Sequence, residues 1–262
     1  MTNPHDTRAE VRPGDVLAGK YRVERVLGAG GMTVVVAALH TQLDERVALK
    51  LLLPQALARP DAVARFGLAA RAAARLRSNH AVRVSDVGTL ENGSPYVVME
   101  YLDGRDLSTW ITQEGALPAE QAIDFLLQAC EAVGEAHSLG IVHGDLKPAN
   151  LFCVRRFNGQ QLIKVRDFGF AMPTTAGAPE QLDASKGVDA RSDIWSLGAI
   201  LFELLTGAKV DNDPAPLPSA VLPGAAAALR PILARCLEKD RDLRFQTVAE
   251  LVSALRGACA GV

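Results

Sequence analysis

One short stretch of the chain carries carboxylate, ammonium and amide side chains in an order suited to phosphoryl transfer. The run H-G-D-L-K-P-A-N supplies Asp145, Lys147 and Asn150, and a D-F-G sequence begins further along at Asp167. In phosphoryl transfer a carboxylate orients the attacking hydroxyl, and a cation neutralises the phosphoryl group as it moves. An amide and a second carboxylate hold Mg²⁺ against the phosphates. The spacing therefore predicts a centre that uses a metal-bound phosphate donor.

Other motifs flank this run, and their order along the chain is informative. They are Gly28-Ala29-Gly30, Val47-Ala48-Leu49-Lys50, Ala178-Pro179-Glu180, Asp193-Ile194-Trp195-Ser196-Leu197-Gly198 and Arg244. With H-x-D-L-K-P-x-N and D-F-G, the series resembles the eukaryotic-type Ser/Thr protein kinases, bacterial members included, over roughly residues 15–256. The resemblance implies an α+β, two-lobed protein-kinase fold. We expect a small antiparallel β-sheet N-lobe with one helix and a larger, mainly helical C-lobe.

The resemblance also divides the chain. The expected parts are a flexible N-terminal tail (1–14), a kinase-like domain (15–256, with an N-lobe of about 15–101 and a C-lobe of about 103–256) and a C-terminal tail (257–262). Residue patterns agree, because short β-branched runs predict strands before residue 53 and again over 81–101. A 3.6-residue apolar period predicts helices over 119–137 and 192–206, and Thr247-Val248-Ala249-Glu250 predicts a capping box that opens the last helix.

By resemblance, ATP and Mg²⁺ are the expected cofactors. Asp145 would accept or orient the substrate hydroxyl proton, and Lys147 would neutralise the γ-phosphoryl oxygens. Lys50 would contact the α- and β-phosphates, while Asn150 and Asp167 would ligate Mg²⁺. The expected nucleotide-binding residues are Gly28, Gly30, Val35, Ala48, Lys50, Met99, Glu100 and Leu102.

These nucleotide positions have different expected tasks. The glycines let a hairpin lie close over the triphosphate, because no Cβ blocks its backbone amides. Val35 and Ala48 would line the adenine pocket, Met99 falls at the gatekeeper position, and residues 100–102 would offer backbone groups to the adenine edge.

One departure from the family concerns the partner of Lys50. The family places a helix glutamate nineteen residues after this lysine, and here that register gives Ala69, with no acidic residue between Asp61 and Asp86. A charge-assisted hydrogen bond is worth about 1.5–3 kcal/mol, or roughly ten- to a hundredfold in rate. The sequence therefore predicts impaired activity, not abolished activity.

A second departure concerns regulation. Gly144 stands where most regulated kinases have the arginine that pairs with a phosphorylated activation loop, and only residues 168–179 separate Asp167 from Glu180. We therefore expect no switching by phosphorylation of Thr174 or Thr175. The same short loop and the brief segment 207–222 indicate reduced protein-substrate recognition.

Three interpretations remain open. The first is a Ser/Thr protein kinase with low or partner-dependent activity, and the second is a pseudokinase that acts as a nucleotide-binding or scaffolding module. The third is a small-molecule phosphotransferase, because H-G-D-x-x-x-x-N also resembles aminoglycoside and choline phosphotransferases. The D-F-G and A-P-E motifs and Lys147 argue against the third.

Composition narrows the class of partner. A formal net charge of -2 gives no electrostatic reason to expect nucleic-acid binding, and no apolar run approaches the length that spans a bilayer. The four cysteines lack zinc-site spacing, which favours free thiols in a reducing cytoplasm. We expect a cytoplasmic protein whose partners are ATP and a protein substrate or regulatory protein, with neither nucleic acid nor membrane.

Overall fold

The computed structural model describes residues 11–170, 177–182, 187–210, 222 and 224–259. The predictions for Thr174 and Thr175 lie outside these residues, as does most of segment 207–222. The chain divides into two compact units. The first unit comprises Met1–Arg75 with Val82–Leu102, and the second comprises Leu76–Ala81 with Asp103–Val262.

The first unit contains an antiparallel six-stranded sheet in the order β1-β2-β3-β4-β6-β5. Its strands are β1 (Val16–Leu17), β2 (Tyr21–Gly30), β3 (Thr33–His40), β4 (Glu45–Leu52), β5 (Val84–Thr89) and β6 (Pro95–Glu100). Side chains on one face of this sheet form a buried cluster that includes Val34, Val36, Val47, Leu49, Leu51, Tyr96 and Val98. The alternation follows from the two-residue period of a strand.

Two helices accompany this sheet where the sequence predicted one. They are the four-residue α1 (Pro54–Leu57) and the longer α2 (Pro60–Ala73), which lies against β5 and β6. Each helix begins with proline, whose fixed φ and missing N–H suit a first turn. The second proline therefore separates the connection after β4 into a short turn of helix and a true helix.

The second unit is mainly helical and also contains a small antiparallel sheet. Its helices are α3 (Leu107–Glu114), α4 (Ala119–Ser138), α5 (Pro179–Leu182), α6 (Ala190–Thr206), α7 (Arg230–Cys236) and α8 (Val248–Cys259). The sheet has the order β7-β8-β9, with β7 (Gly104–Asp106), β8 (Leu151–Arg155) and β9 (Gln161–Val165). Three segments are 3₁₀ turns: Pro148–Asn150, Gly224–Leu229 and Arg241–Leu243. The expected α+β class with a sheet-rich first part and a helical second part is confirmed.

Helix ends agree with their sequence signals. Gly207 adopts φ 74° and closes α6 by donating its N–H to Glu203 O. The Thr247 hydroxyl accepts a hydrogen bond from Glu250 N–H, which is one half of the predicted capping box, while Glu250 Oε2 accepts from Gln246 N–H, one residue before Thr247. The apolar period over 225–237 predicts one α-helix, but Gly224–Leu229 forms a 3₁₀ turn and the α-helix begins at Arg230, with Pro231 tolerated in its first turn.

Among the described residues, no helix has both the length and the apolar character needed to cross a membrane.

Candidate active site

The hairpin of β8 and β9 explains how the two predicted metal ligands of the second unit become neighbours. Leu151 pairs with Val165, so the residue before β8 lies beside the residues after β9. Arg166 N–H donates to Asn150 O at 3.0 Å, which fixes this juxtaposition. Asn150 and Asp167 are therefore brought together by strand register, although the sequence separates them.

The catalytic run itself folds back on Asp145. Lys147 Nζ lies 3.0 and 2.8 Å from the two carboxylate oxygens of Asp145. Asn150 Nδ2 donates to Asp145 O at 2.7 Å and lies 3.3 Å from Asp145 Oδ2. Because Nδ2 is committed to Asp145, the amide oxygen Oδ1 of Asn150 is the atom that remains for a cation.

The contacts of Asn150 and Asp167 fit a magnesium ion. Asn150 is buried and Asp167 has φ 68°, a left-handed conformation that costs energy for a residue with a side chain. Carboxylate and amide oxygens are hard ligands that suit Mg²⁺, which takes few protein ligands and completes its shell with phosphates and water. No group of three or more His, Cys, Asp or Glu that could hold a metal occurs in the described residues.

His143 packs against the residues around the catalytic run and has a structural role. It is fully buried, and its ring packs edge-on against Phe168 with centroids 4.9 Å apart. Asp145 N–H donates to Nδ1, so Nε2 carries the proton and donates to Arg166 O at 2.9 Å. Both ring nitrogens are therefore occupied by backbone partners, which leaves the ring no role as a base.

Asp193 anchors the catalytic loop by accepting hydrogen bonds from its backbone amides. Its Oδ2 accepts from His143 N–H and its Oδ1 accepts from Gly144 N–H, both at 2.8 Å. His137 Nε2 lies 2.8 Å from the same Oδ2. The carboxylate is fully buried at the first turn of α6, so each hydrogen bond is protected from water.

Glu180 and Arg244 form a buried ion pair. The two groups form a bidentate pair at 2.8 and 2.9 Å, and Ser192 Oγ donates to Glu180 Oε1. Arg244 also donates to the carbonyls of Arg191 and Glu238. Burial opposes ionisation of Glu180, but the bonds from Arg244 and Ser192 outweigh it and lower the pKa of that carboxyl.

A cavity of about 290 Å³ opens beside Asp145 within the second unit. The side chains around it include Lys147, Gln181, Ser196 and Glu203. Burial raises the pKa of Glu203, although the charge of Lys209 opposes this shift. The cavity gives a polar side chain room to approach the Asp145 carboxylate.

The first unit gathers four of the eight predicted nucleotide residues on one face of its sheet. Val35 pairs with Lys50 across β3 and β4, and Ala48 pairs with Met99 across β4 and β6. Their neighbours along each strand belong to the buried cluster on the opposite face. Because side chains alternate along a strand, these four residues share the other face. Lys50 is only 5% exposed, so it is not a solvated strand lysine.

The glycine segment forms the hairpin between β2 and β3. Gly28 pairs with Val35 and Gly30 pairs with Thr33, and Gly31 makes the turn at φ 57°. A Cβ at Gly28 or Gly30 would meet no atom within 4 Å, so internal packing does not require glycine there. The pattern is consistent with glycines that leave space for a ligand.

Glu100, the residue directly after Met99, is fixed by hydrogen bonds with Arg83. Glu100 N–H donates to Arg83 O, and Glu100 Oε1 accepts from Arg83 N–H. Leu102 N–H has no intramolecular acceptor in the part of the chain that the structure describes. The amide of Leu102 can therefore serve an adenine edge.

The structure places Ala69 on the buried side of α2, at 3% exposure. The single acidic residue of that helix, Asp61, binds Arg59 and Arg65 at 3.2 and 2.8 Å. The missing carboxylate predicted from the sequence is therefore not replaced from elsewhere in α2.

Comparison with known proteins identifies the family. The family model described as "Protein kinase domain" matches residues 21–215. The chain belongs to the protein kinase family. It is 37% identical to the Ser/Thr protein kinase Pkn1 of Myxococcus xanthus over 94% of this chain and 39% of that protein. It is 35% identical to the Ser/Thr protein kinase PknB of Mycobacterium tuberculosis over 90% of this chain and 42% of that protein.

A solved kinase-domain structure is also similar to this chain. The kinase domain of Mycobacterium tuberculosis PknI has a TM-score of 0.80 and 32% identity, covering 95% of this chain and 99% of that one. The predicted resemblance to bacterial Ser/Thr kinases is confirmed, and ATP-dependent protein phosphorylation is the activity of this class. These relatives do not favour the pseudokinase alternative. The chain spans about two fifths of the length of the curated relatives that it matches.

One contact of the loop went unrecognised in the sequence. Gln181, directly after the A-P-E motif, donates from Nε2 to Gly144 O at 2.6 Å. Its position next to a known motif was the available signal, but the target lies 37 residues away.

Proposed function

We propose that this chain transfers the γ-phosphoryl group of ATP to serine or threonine hydroxyls of proteins. The observation that carries the proposal is the Asp145 carboxylate, held by Lys147 and Asn150 at the edge of an open cavity. A carboxylate held in this way can orient a hydroxyl for in-line attack, and the adjacent ammonium can neutralise the phosphoryl oxygens.

The metal in this proposal is Mg²⁺, bound by Asn150 Oδ1 and the Asp167 carboxylate. When bound, it neutralises phosphate charge and so makes the γ-phosphorus easier to attack. The chain's contribution is to keep both ligands at the open ends of the β8–β9 hairpin, where Arg166 N–H ties them together.

Nucleotide binding in this proposal uses the first unit. Lys50 binds the α- and β-phosphates, and the hairpin at Gly28 and Gly30 covers them with backbone amides. Val35, Ala48 and Met99 contact the adenine, while Glu100 O and Leu102 N–H bind its edge. The position of Lys50 supports this role, because Lys50 is buried and shares one face of the sheet with Val35, Ala48 and Met99.

We infer a low basal rate that a regulatory protein partner can raise. Ala69 supplies no carboxylate to orient Lys50, and the acid of α2 is engaged with two arginines. A partner that rigidified the first unit would restore part of the lost alignment.

The test is phosphotransfer from γ-labelled ATP with Mg²⁺, comparing the parent chain with Asp145→Asn. Casein, an aminoglycoside and choline serve as separate acceptors. Asp124→Asn is a matched control, because Asp124 is an exposed residue of α4 whose carboxylate accepts a hydrogen bond from Gln128 on the same helix. We expect labelled serine or threonine in protein, at least about a hundredfold less with Asp145→Asn, and no change with Asp124→Asn.

Equal labelling by the parent and Asp145→Asn would overturn catalysis by this loop. Label that appears only on the aminoglycoside or choline would favour the small-molecule alternative. Nucleotide binding is measured separately, because Mg²⁺-ATP that binds the folded state must raise Tm. A pseudokinase would show that rise without phosphotransfer.

A further inference from the structure

Gly144 is a conformationally permissive residue next to Asp145, the proposed catalytic carboxylate. It precedes Asp145 directly and adopts φ 73°. Glycine enters this region without penalty but also leaves it easily, because it populates both signs of φ. Rotation about Gly144 would re-aim the Asp145 side chain, so something outside the glycine must hold it.

Three side chains hold the backbone around this glycine. Gly144 N–H donates to Asp193 Oδ1 at 2.8 Å, and Asp145 N–H donates to His143 Nδ1 at 3.2 Å. Gly144 O accepts from Gln181 Nε2 at 2.6 Å. Gly144 O and Asp145 N–H belong to the same peptide group, so His143 and Gln181 hold one plane from its two ends. That plane sets the direction in which the Asp145 side chain leaves the backbone.

The Gln181 amide is itself fixed in orientation. Its Oε1 accepts from Ala178 N–H at 2.9 Å, so Nε2 is the end that faces Gly144. The preceding residue, Glu180, is locked by its buried ion pair with Arg244. The glutamine therefore extends from a rigid turn and reaches the loop with a defined donor.

We propose that Gln181 is a positioning residue for Asp145: its side-chain amide prevents the Gly144–Asp145 peptide from rotating and so keeps the carboxylate aimed at the acceptor cavity. This rests on the proposed phosphotransfer function for its kinetic consequence. Gln181, Gly144 and Asp145 line the same cavity, so the contact lies where the acceptor enters.

The contact also has a regulatory meaning. A neutral amide-to-carbonyl bond needs no modification to form, and Gly144 offers no cation to a phosphate. The end of the segment that follows Asp167 is thus tied to the catalytic loop in the unmodified chain.

The test separates the two hydrogen bonds of Gln181 by substitution. Gln181→Leu removes both, Gln181→Glu keeps the acceptor for Ala178 N–H but sets a carboxylate against Gly144 O, and Gln181→Lys keeps a donor for Gly144 O. Gln160→Leu is the control, because Gln160 is exposed in the turn between β8 and β9.

We expect kcat to fall ten- to a hundredfold with Gln181→Leu and Gln181→Glu, while KM for ATP stays within twofold. Gln181→Lys recovers most of kcat, and Gln160→Leu matches the parent. A kcat for Gln181→Leu within twofold of the parent would overturn the proposal. If all three variants lowered kcat, changed KM for ATP and lowered Tm together, the proposal would also be overturned. That pattern is typical of a residue that only stabilises the fold.

Hydrogen exchange provides a readout that does not need phosphotransfer. The amides of Gly144 and Asp145 should exchange at least tenfold faster with Gln181→Leu than in the parent, and Gln181→Lys should restore protection. If the parent proved inactive, the proposed function would fail, and exchange alone would decide whether Gln181 holds the loop. Unchanged exchange with Gln181→Leu would refute the contact's role.

Discussion

The catalytic loop of the second unit and helix α2 of the first unit are held by opposite kinds of polar contact. In the second unit, Asp193 and the Glu180–Arg244 pair are almost completely buried, and each has several hydrogen-bond partners. On α2, Asp61 binds two arginines while about half of each side chain remains exposed.

This difference determines how firmly the polar contacts fix the backbone of each region. A buried charge without its partner is costly, so each buried group enforces one arrangement of the backbone that it binds. An exposed pair is screened by water and enforces little. Positioning of Asp145 is therefore built into the packed second unit, whereas α2, with Ala69 in place of a carboxylate, contributes little to aligning Lys50.

The largest expected effect comes from breaking the buried ion pair. Arg244→Met leaves Glu180 buried without its partner, which costs about 3–5 kcal/mol of folding free energy. We expect Tm to fall on the order of 10 °C in thermal unfolding. Arg256→Met, in the exposed last turn of α8, is the control and should leave Tm unchanged. A similar Tm for both variants would contradict the claim that buried contacts fix the second unit more strongly than exposed ones fix α2.

The same pair predicts a pH dependence. The pKa of Glu180 is lowered below its ordinary value of 4.5. Its contribution to stability is therefore complete above pH 4.5 and is lost as the pH falls below that value. The difference in Tm between the parent and Arg244→Met should shrink as the pH falls below 4.5.

The next effect concerns the anchor of the catalytic loop. Asp193→Asn keeps the shape but lacks the charge and one acceptor oxygen, so one of the bonds from His143 N–H and Gly144 N–H is lost. We expect kcat to fall about a hundredfold, or roughly 2.7 kcal/mol, with KM for ATP little changed. Steady-state phosphotransfer measures this, with Asp124→Asn as the control. A kcat within threefold of the parent would show that the loop holds its geometry without this charge.

A smaller and opposite effect is expected at Ala69. Ala69→Glu restores a carboxylate at the family register and should raise kcat/KM for ATP about tenfold, although burying the added group lowers Tm. Ala69→Gln has the same size without the charge and should give no gain. If both variants behave alike, the missing carboxylate is not what limits the rate.

The smallest effect belongs to the exposed pairs of α2. Asp61→Asn removes the partner of Arg59 and Arg65, and we expect Tm and kcat to match those of the parent within error. A measurable loss of activity would mean that α2 is more tightly constrained than its surface contacts indicate.

Several features were predictable from the sequence because they depend on local order. The residues of the catalytic run lie within one short segment, and strand alternation alone places Val35 on one face of its strand and Val34 and Val36 on the other. The stop at Gly207 and the cap at Thr247 are likewise local. The short helix α1, the sheet of β7, β8 and β9, and the late start of α7 were missed, because proline positions and edge pairing override the apolar period.

The sequence by itself determined which chemical groups this protein has and lacks: a carboxylate at 145, an ammonium at 147, and no acid at 69. Covalent order is sufficient for such statements. Only the tertiary structure decided which groups meet, since Arg244 reaches Glu180 across 64 residues and Gln181 reaches Gly144 across 37. Contacts over such separations depend on how distant helices and loops pack, and burial then makes each of them strong enough to hold the loop.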